Sequence, residues 1–90
     1  RAAVDKVKLI FADEAWADYL FWQKQDKAAV KRINELIAAC KRDPFVGIGK
    51  PEPLKYALAG FWSRRINEEH RMVYKVEKDA LLIAQLRYHY

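Results

Sequence analysis

The sequence predicts an α+β fold of the order βααβββ, with two N-terminal helices packed on one face of a small, mainly antiparallel sheet. Apolar residues recur every three or four positions between 26 and 42, which is typical of an amphipathic helix. Three β-rich runs with short polar connections fill 59–88 and predict an antiparallel meander. A shorter β-rich run, 7–11, precedes the helical part and predicts the first strand.

The first helix is predicted over about 14–24. Asp13 is placed to cap its N-terminus, because a carboxylate there accepts the free backbone N–H groups of the first turn. The apolar spacing of this segment turns three large side chains toward the core: Trp16, Tyr19 and Leu20.

The second helix carries the strongest periodic pattern in the chain. Asp26 offers its N-cap, and it ends before Pro44, which disfavours helical backbone in the preceding residue. Its core-facing positions are Ala29, Val30, Ile33, Leu36, Ile37 and Cys40. We expect Cys40, the one cysteine, to be buried rather than nucleophilic, and a single thiol fits a reducing compartment such as the cytosol.

Length and charge narrow the classes of function. Ninety residues predict one domain over 7–90, with 1–6 as an extension. The net charge of +5 favours a polyanionic partner such as nucleic acid, although a surface rich in lysine explains the charge equally well. The sequence shows no run long enough for a membrane span and no signal-peptide pattern.

Alternation along the last three strands sorts their side chains into two faces. The set expected to cover the helices is Trp62, Ile66, Met72, Tyr74, Val76, Leu82, Ala84, Leu86 and Tyr88. The opposite set is Ser63, Arg65, Glu69, Arg71, Lys75, Gln85, Arg87 and His89. This sorting requires an odd-numbered loop in the last hairpin, which places Arg71 opposite Arg87.

Two residues interrupt this pattern. Arg64 points to the apolar side, and we expect it at the rim of the sheet with its stem buried. His70 alternates with Arg71, so we expect it to form a structural hydrogen bond elsewhere.

The charged face is either an ordinary solvated sheet surface or an anion site. Two neighbouring arginines favour an anion, since guanidinium groups bind phosphate through paired hydrogen bonds. RNA cleavage without a metal needs a base for the 2′-hydroxyl, cations for the phosphate and an acid for the 5′-oxygen. Glu52, Lys55, Arg65, Arg71 and His89 supply these groups, whereas no metal-ligand spacing is present.

Several motifs then resemble the YoeB (Txe/YoeB) toxins of the RelE/ParE superfamily, over about residues 7–90. They are Lys50-Pro51-Glu52-Pro53-Leu54-Lys55, Gly60-Phe61-Trp62-Ser63-Arg64-Arg65-Ile66, Glu68-Glu69-His70-Arg71 and Arg87-Tyr88-His89-Tyr90. The resemblance implies a RelE-like fold and the cytoplasmic toxin of a bacterial type II toxin–antitoxin system. Such toxins cleave messenger RNA in the ribosomal A site, without a cofactor, and leave a 2′,3′-cyclic phosphate and a 5′-hydroxyl.

The resemblance also implies the role of each site residue. Glu52 becomes the general base and His89 the general acid, while Arg65 and Arg71 stabilise the phosphate. Lys55 assists them, Tyr90 orients the substrate or the acid, and Glu69 holds the arginines. Arg87 and Tyr88 complete the predicted substrate-binding and supporting residues.

The implied partners are a YefM-like antitoxin, the ribosome with its messenger RNA, and a second copy of the chain. Operator DNA would be contacted only through the antitoxin. Two other functions stay open: a non-catalytic module that blocks translation by occupying RNA, and a gyrase-poisoning toxin on the same fold.

Overall fold

The computed structural model describes residues 7–88, and the α+β order expected from the sequence is confirmed. The predicted extension, residues 1–6, and the predicted acid and orienting residues, His89 and Tyr90, lie outside the described residues. A two-residue strand is added before the meander. The elements are β1 (Lys8–Phe11), α1 (Asp13–Gln25), α2 (Lys27–Arg42), β2 (Glu52–Pro53), a 3₁₀ turn (Tyr56–Leu58), β3 (Phe61–Arg65), β4 (Arg71–Glu77) and β5 (Ala80–Gln85).

The five strands form one sheet in the order β1-β5-β4-β3-β2. β1 runs parallel to β5, and the other neighbours are antiparallel. α1 and α2 pack on one face of this sheet, where their buried side chains share a hydrophobic core with β4 and β5. Within residues 7–88 no helix has the length and apolar character needed to cross a membrane.

α2 forms as the sequence predicts. The carboxylate of Asp26 accepts hydrogen bonds from the backbone N–H groups of Ala28 at 3.0 Å and Ala29 at 3.2 Å. Cys40 lies in the core, as expected, with 2% of its surface exposed. The buried face of the helix is Ala29, Ile33, Leu36, Ile37, Ala39 and Cys40.

The predicted orientation of α1 was wrong for two of its three residues, whereas Tyr19 packs against the core as expected. Trp16 and Leu20 are 50% and 44% exposed, and the buried side chains are Ala15, Asp18 and Trp22. Asp13 is the first helical residue rather than the cap, and Ala12 precedes it without a side-chain cap. The spacing of Trp16 is typical of a core residue, but its ring packs in an aromatic cluster beside β1. In this cluster the ring centres of Phe11, Trp16 and Tyr19 lie within 6 Å of each other.

The register of the last hairpin also differs from the prediction. Glu77 pairs with Ala80 across a two-residue loop, so Leu81 and Ile83 face the helices instead of Leu82 and Ala84. A bulge then shifts the register by one residue, because Tyr74 pairs with Ile83 while Val73 pairs with Gln85. Leu86 therefore returns to the core as expected, whereas two residues assigned to the helix-covering face are partly exposed: Val76 (39%) and Tyr88 (59%).

Arg64 points to the apolar side, but its head is not at the rim. Its surface is completely buried. Nε donates to the Tyr74 hydroxyl at 3.2 Å, Nη1 donates to the Ile48 carbonyl at 3.0 Å, and Nη2 donates to the carbonyls of Asp43 at 2.7 Å and Val46 at 3.2 Å. The guanidinium thus holds the loop that leads from α2 into β2.

Candidate functional site

The centre of the candidate site is a pair of arginines on the face of the sheet away from the helices. Arg65 of β3 is directly opposite Arg71 of β4. Directly opposed residues have their Cβ atoms about 5 Å apart, so both guanidinium groups can reach one phosphate. Neither arginine takes part in an ion pair with a carboxylate in the described part of the chain. The pair concentrates positive charge on this face.

The turn before β4 orients one of these arginines. Nη1 of Arg71 donates to the carbonyl oxygens of Asn67 at 2.8 Å, Glu68 at 3.2 Å and His70 at 3.2 Å. The Asn67 side chain fixes the same turn by accepting the backbone N–H groups of Glu69 and His70. One terminal nitrogen of Arg71 is therefore held by the protein. Its other nitrogens have no partner among residues 7–88.

The expected contact between Glu69 and the arginines does not form. The Glu69 side chain is 85% exposed, and its carboxylate lies 3.9 Å from Nε2 of His70. Backbone carbonyls, rather than the Glu69 carboxylate, hold Arg71, because the tight turn before β4 directs several carbonyl oxygens toward its guanidinium.

Glu52 reaches the same face through the short strand β2. It pairs with Ser63, which lies two residues before Arg65 on β3. Directly opposed residues and i, i+2 neighbours point to the same side of a sheet, so the Glu52 carboxylate and the two guanidinium groups share one face. Pro51 and Pro53 flank Glu52 and restrict its backbone. This places a carboxylate on the strand next to β3, on the same face as the arginine pair.

Lys55 lies just beyond β2, at the start of the 3₁₀ turn, and its side chain is exposed. Together with Glu52 it lines an open cavity of about 460 Å³ formed by residues 52–58. The structure therefore places Lys55 and Glu52 on one cavity, and the assisting role of Lys55 stays a prediction.

The C-terminal segment, residues 86–88, approaches the arginine pair from the other side. The backbone N–H of Arg71 donates to the carbonyl of Tyr88 at 3.1 Å. Tyr88 is the last described residue and directly precedes His89 in the chain. The carboxylate, the two guanidinium groups and the start of the terminal dipeptide thus follow one another across neighbouring segments.

Arg87 does not join the other cations. Its guanidinium lies 3.6 Å from the ring centre of Phe21 on α1 and 4.7 Å from that of Tyr88, and it donates to the Tyr88 hydroxyl at 2.7 Å. Cation–π contact with two rings makes Arg87 part of the packing of the C-terminal segment.

His70 forms the structural hydrogen bond that the sequence analysis expected. Its Nδ1 accepts the backbone N–H of Tyr88 at 2.7 Å. The ring also packs edge-on against Trp22, with 4.9 Å between ring centres. An accepting Nδ1 requires the proton of the neutral ring to be on Nε2.

Two titratable groups below the sheet are unsuited to chemistry. Burial raises the pKa of the Cys40 thiol to about 11, and Arg64 offsets only part of this increase. Burial likewise raises the pKa of Tyr74 to about 12. Both groups stay protonated near neutral pH, so Cys40 has no nucleophilic thiolate. Among the described residues there is also no cluster of three or more His, Cys, Asp or Glu that could hold a metal ion.

Sequence reasoning missed two functional candidates on α1. The Asp18 carboxylate accepts the backbone N–H of Leu86 at 2.9 Å, and the indole Nε1 of Trp22 donates to the Leu86 carbonyl at 2.8 Å. One signal was present in the sequence: a carboxylate four residues before a tryptophan, on the stripe that also contains Ala15. Such a pair on a buried face needs polar partners.

Two helices behind a mainly antiparallel sheet, with paired arginines and a carboxylate on its open face, define a toxin domain of the RelE-like class. Toxin YoeB of Escherichia coli K12 is 64% identical over 84 residues, which cover 93% of this chain and 100% of that protein. The family model described as "YoeB-like toxin of bacterial type II toxin-antitoxin system" matches residues 11–90. The chain belongs to this YoeB family of toxins.

Solved structures agree with this assignment. A YoeB/ParE toxin from Agrobacterium tumefaciens superposes with a TM-score of 0.89 at 50% identity, covering 93% of this chain and 100% of that one. A YoeB dimer from Staphylococcus aureus gives 0.88 at 46% identity, with 94% and 99% covered. The heterotetrameric YoeB–YefM complex from the same organism gives 0.85 at 47% identity, with 93% and 98% covered.

Proposed function

We propose that this toxin is a metal-independent endoribonuclease that requires no cofactor and cleaves messenger RNA in the A site of the ribosome, which arrests translation. One observation carries the proposal: Arg65 is directly opposite Arg71, with Glu52 on the next strand of the same face. This arrangement supplies a base and two phosphate-binding cations on a rigid sheet.

The proposed reaction uses a base, a set of cations and an acid. The Glu52 carboxylate takes the proton of the 2′-hydroxyl, and the 2′-oxygen forms a bond to the adjacent phosphorus. Arg65 and Arg71, assisted by Lys55, stabilise the negative charge on the non-bridging oxygens. The bond from phosphorus to the 5′-oxygen breaks as His89 gives that oxygen a proton. The products are a 2′,3′-cyclic phosphate and a 5′-hydroxyl.

The remaining predicted residues have supporting roles in this proposal. Tyr90 orients the substrate or the acid. Arg87 and Tyr88 stabilise the segment that precedes the acid, since Arg87 stacks on Phe21 and on Tyr88 itself.

The proposed partners are an antitoxin, the ribosome and a second copy of the chain. The related Staphylococcus aureus toxin was solved both as a dimer and with YefM. The net charge of +5 and the free arginine pair favour an acidic antitoxin segment that covers this face. Contact with operator DNA would then be made through the antitoxin.

The test is a reconstituted translation assay in which 5′ ends of messenger RNA are mapped after the toxin is added. The wild-type protein should produce new 5′-hydroxyl ends within A-site codons. Glu52→Gln, His89→Gln and the double variant Arg65→Ala/Arg71→Ala should each lose at least about a hundredfold in rate. Glu14→Gln, an exposed carboxylate on α1, is the matched control and should cleave normally.

Three results separate the alternatives. Full cleavage by both Glu52→Gln and His89→Gln contradicts the acid–base mechanism. Translation arrest without any new RNA ends, lost only in the double arginine variant, identifies a non-catalytic blocker. Arrest of cells with a DNA-damage response and intact messenger RNA identifies a gyrase poison.

A further inference from the structure

The C-terminal segment, residues 86–88, continues beyond the end of β5 at Gln85, yet its backbone is almost fully hydrogen-bonded. Asp18 accepts the N–H of Leu86, Trp22 donates to the carbonyl of Leu86, and His70 accepts the N–H of Tyr88. The Gln85 side chain donates to the carbonyl of Arg87 at 2.8 Å. Side chains rather than a strand partner therefore position most of this segment.

The three side chains that reach the segment from other elements form one packed unit, which we call the C-terminal anchor: Asp18, Trp22 and His70. Asp18 and Trp22 lie one turn apart on α1 and are 8% and 6% exposed. The Trp22 and His70 rings pack edge-on with their centres 4.9 Å apart. A buried carboxylate and indole that both bond to the backbone of one residue, Leu86, fix its position and direction.

The backbone at the end of the segment is strained. Tyr88 has a φ of 66°, in the left-handed region that a bulky side chain rarely adopts. Such a conformation persists only where surrounding contacts impose it, and strain of this kind concentrates at functional sites. Here the imposing contacts are the bond from the Tyr88 N–H to His70 and the bond from the Arg71 N–H to the Tyr88 carbonyl.

We infer that Asp18, Trp22 and His70 are positioning residues for the cleavage reaction, since they fix the chain one residue before His89 and beside Arg71. The inference rests on the proposed function, in which His89 is the general acid. The anchor acts through the backbone of residues 86–88 and touches neither substrate nor reacting atoms. Helix α1 thereby contributes to the protonation step, although it supplies no group to the open face of the sheet.

The test uses two messenger RNAs that differ in one atom of the scissile phosphate. One has the natural 5′-oxygen, and the other has sulfur at that position. A thiolate leaves without a proton, so the sulfur substrate does not need the general acid. The full-length toxin is assayed with both substrates in programmed ribosomes, under single-turnover conditions at saturating toxin.

The main variant is Trp22→Phe, which keeps an aromatic ring and removes the N–H that binds Leu86. It should cleave the oxygen substrate about tenfold to a hundredfold more slowly than wild type, because a displaced acid loses much of its effect. It should cleave the sulfur substrate at nearly the wild-type rate. Glu52→Gln, which removes the base, should be slow on both substrates.

Matched variants separate positioning from folding. Trp16→Phe changes the half-exposed tryptophan of the same helix and should behave as wild type on both substrates. His70→Phe keeps a ring against Trp22 but loses the acceptor for Tyr88, so it should show the same selective defect. His70→Asn restores an acceptor near the Nδ1 position and should recover much of the rate. The His70 pair answers the question even where Trp22→Phe fails to fold.

Each result has a definite reading. The inference is overturned if Trp22→Phe and His70→Phe slow the cleavage of both substrates equally, or if they cleave both at the wild-type rate. In either case, cleavage by the wild type still supports the proposed function. Failure of the wild type to cleave either substrate refutes the proposed function itself.

Discussion

Replacing Arg64 by methionine should destabilise this protein more than any other single change of a charged side chain. Arg64 is completely buried and donates four hydrogen bonds, three of them to carbonyl oxygens of the loop 43–49. Methionine has a similar length but no donor. The change therefore leaves three carbonyls and the Tyr74 hydroxyl without their cationic partner.

The expected cost follows from these contacts. Hydrogen bonds from a charged donor contribute about 1.5–3 kcal/mol each, which sets an upper limit of roughly 6–12 kcal/mol for four. Most of the loop is exposed, so water can satisfy the released carbonyls, and the Tyr74 hydroxyl keeps its 2.6 Å bond to the Pro44 carbonyl. We expect Arg64→Met to lower the free energy of unfolding by about 3–5 kcal/mol. For a domain of this size that lowers Tm by at least about 12 °C.

Urea unfolding followed by tryptophan fluorescence and far-UV circular dichroism measures this free energy. Arg42→Met, an exposed arginine at the end of α2, is the control and should change it by less than about 0.5 kcal/mol. Hydrogen exchange gives a local reading, because the N–H of Arg65 donates to the carbonyl of Gly49 at 2.7 Å and should exchange faster in Arg64→Met. An Arg64→Met protein as stable as wild type would refute the reasoning, since desolvation of the guanidinium would then cancel all four bonds.

Two further predictions concern the same region. Burial raises the pKa of Tyr74 from 10.0 to about 12, so its contribution to the free energy of unfolding is complete below about pH 10 and is lost as the pH rises toward 12. In Tyr74→Phe the free energy of unfolding should therefore fall less steeply over this pH range, and the remaining slope is due to Cys40. Equal slopes for wild type and Tyr74→Phe in urea titrations would contradict this. Gly49→Ala should cost roughly 2–4 kcal/mol, because its Cβ would lie 2.7 Å from Leu36 at a φ of +83°. Gly60→Ala, at +97° but with only an ordinary contact to Lys75 at 4.0 Å, should cost only about 1 kcal/mol in the same unfolding assay, and equal costs would show that the contact with Leu36 is unimportant.

Local patterns in the sequence were sufficient for most of the fold. α2 forms where its apolar period and Asp26 predict it, and the arginine pair on the open face follows from strand alternation alone. α1 was misjudged because Trp16 and Leu20 look like core residues, while Ala15, the polar Asp18 and Trp22 occupy the core-facing stripe. The size of an apolar side chain predicts burial poorly where a polar side chain can be buried with a backbone hydrogen-bond partner.

The hairpin between β4 and β5 shows a different limit. Its pairing depends on two features that cancel: the even loop at Lys78 and Asp79 reverses the expected faces, and the bulge after Ile83 reverses them again. The prediction placed Arg71 opposite Arg87, whereas the N–H of Arg71 donates to the carbonyl of Tyr88, and the odd loop assumed for the prediction was wrong. A bulge has no simple sequence signature, so only coordinates distinguish the two routes to the same register.

The candidate site joins two kinds of structure that respond differently to perturbation. Arg65 and Arg71 are fixed by strand pairing, so the proposed phosphate-binding part belongs to the sheet itself. The segments that lead to Glu52 and to His89 lie outside the main ladders. Buried side chains hold their backbones instead: Arg64 binds the loop before β2, and the C-terminal anchor binds residues 86–88.

Bonds from buried side chains to backbone can be lost one segment at a time, whereas strand pairing is lost cooperatively with the sheet. An antitoxin that competes for the C-terminal segment would therefore displace the acid without unfolding the domain or separating the arginines. Arg64 and Trp22 contact different segments and share no partner, so their effects on stability should add. The proposed base and the segment that precedes the proposed acid are thus held independently, next to a common arginine pair.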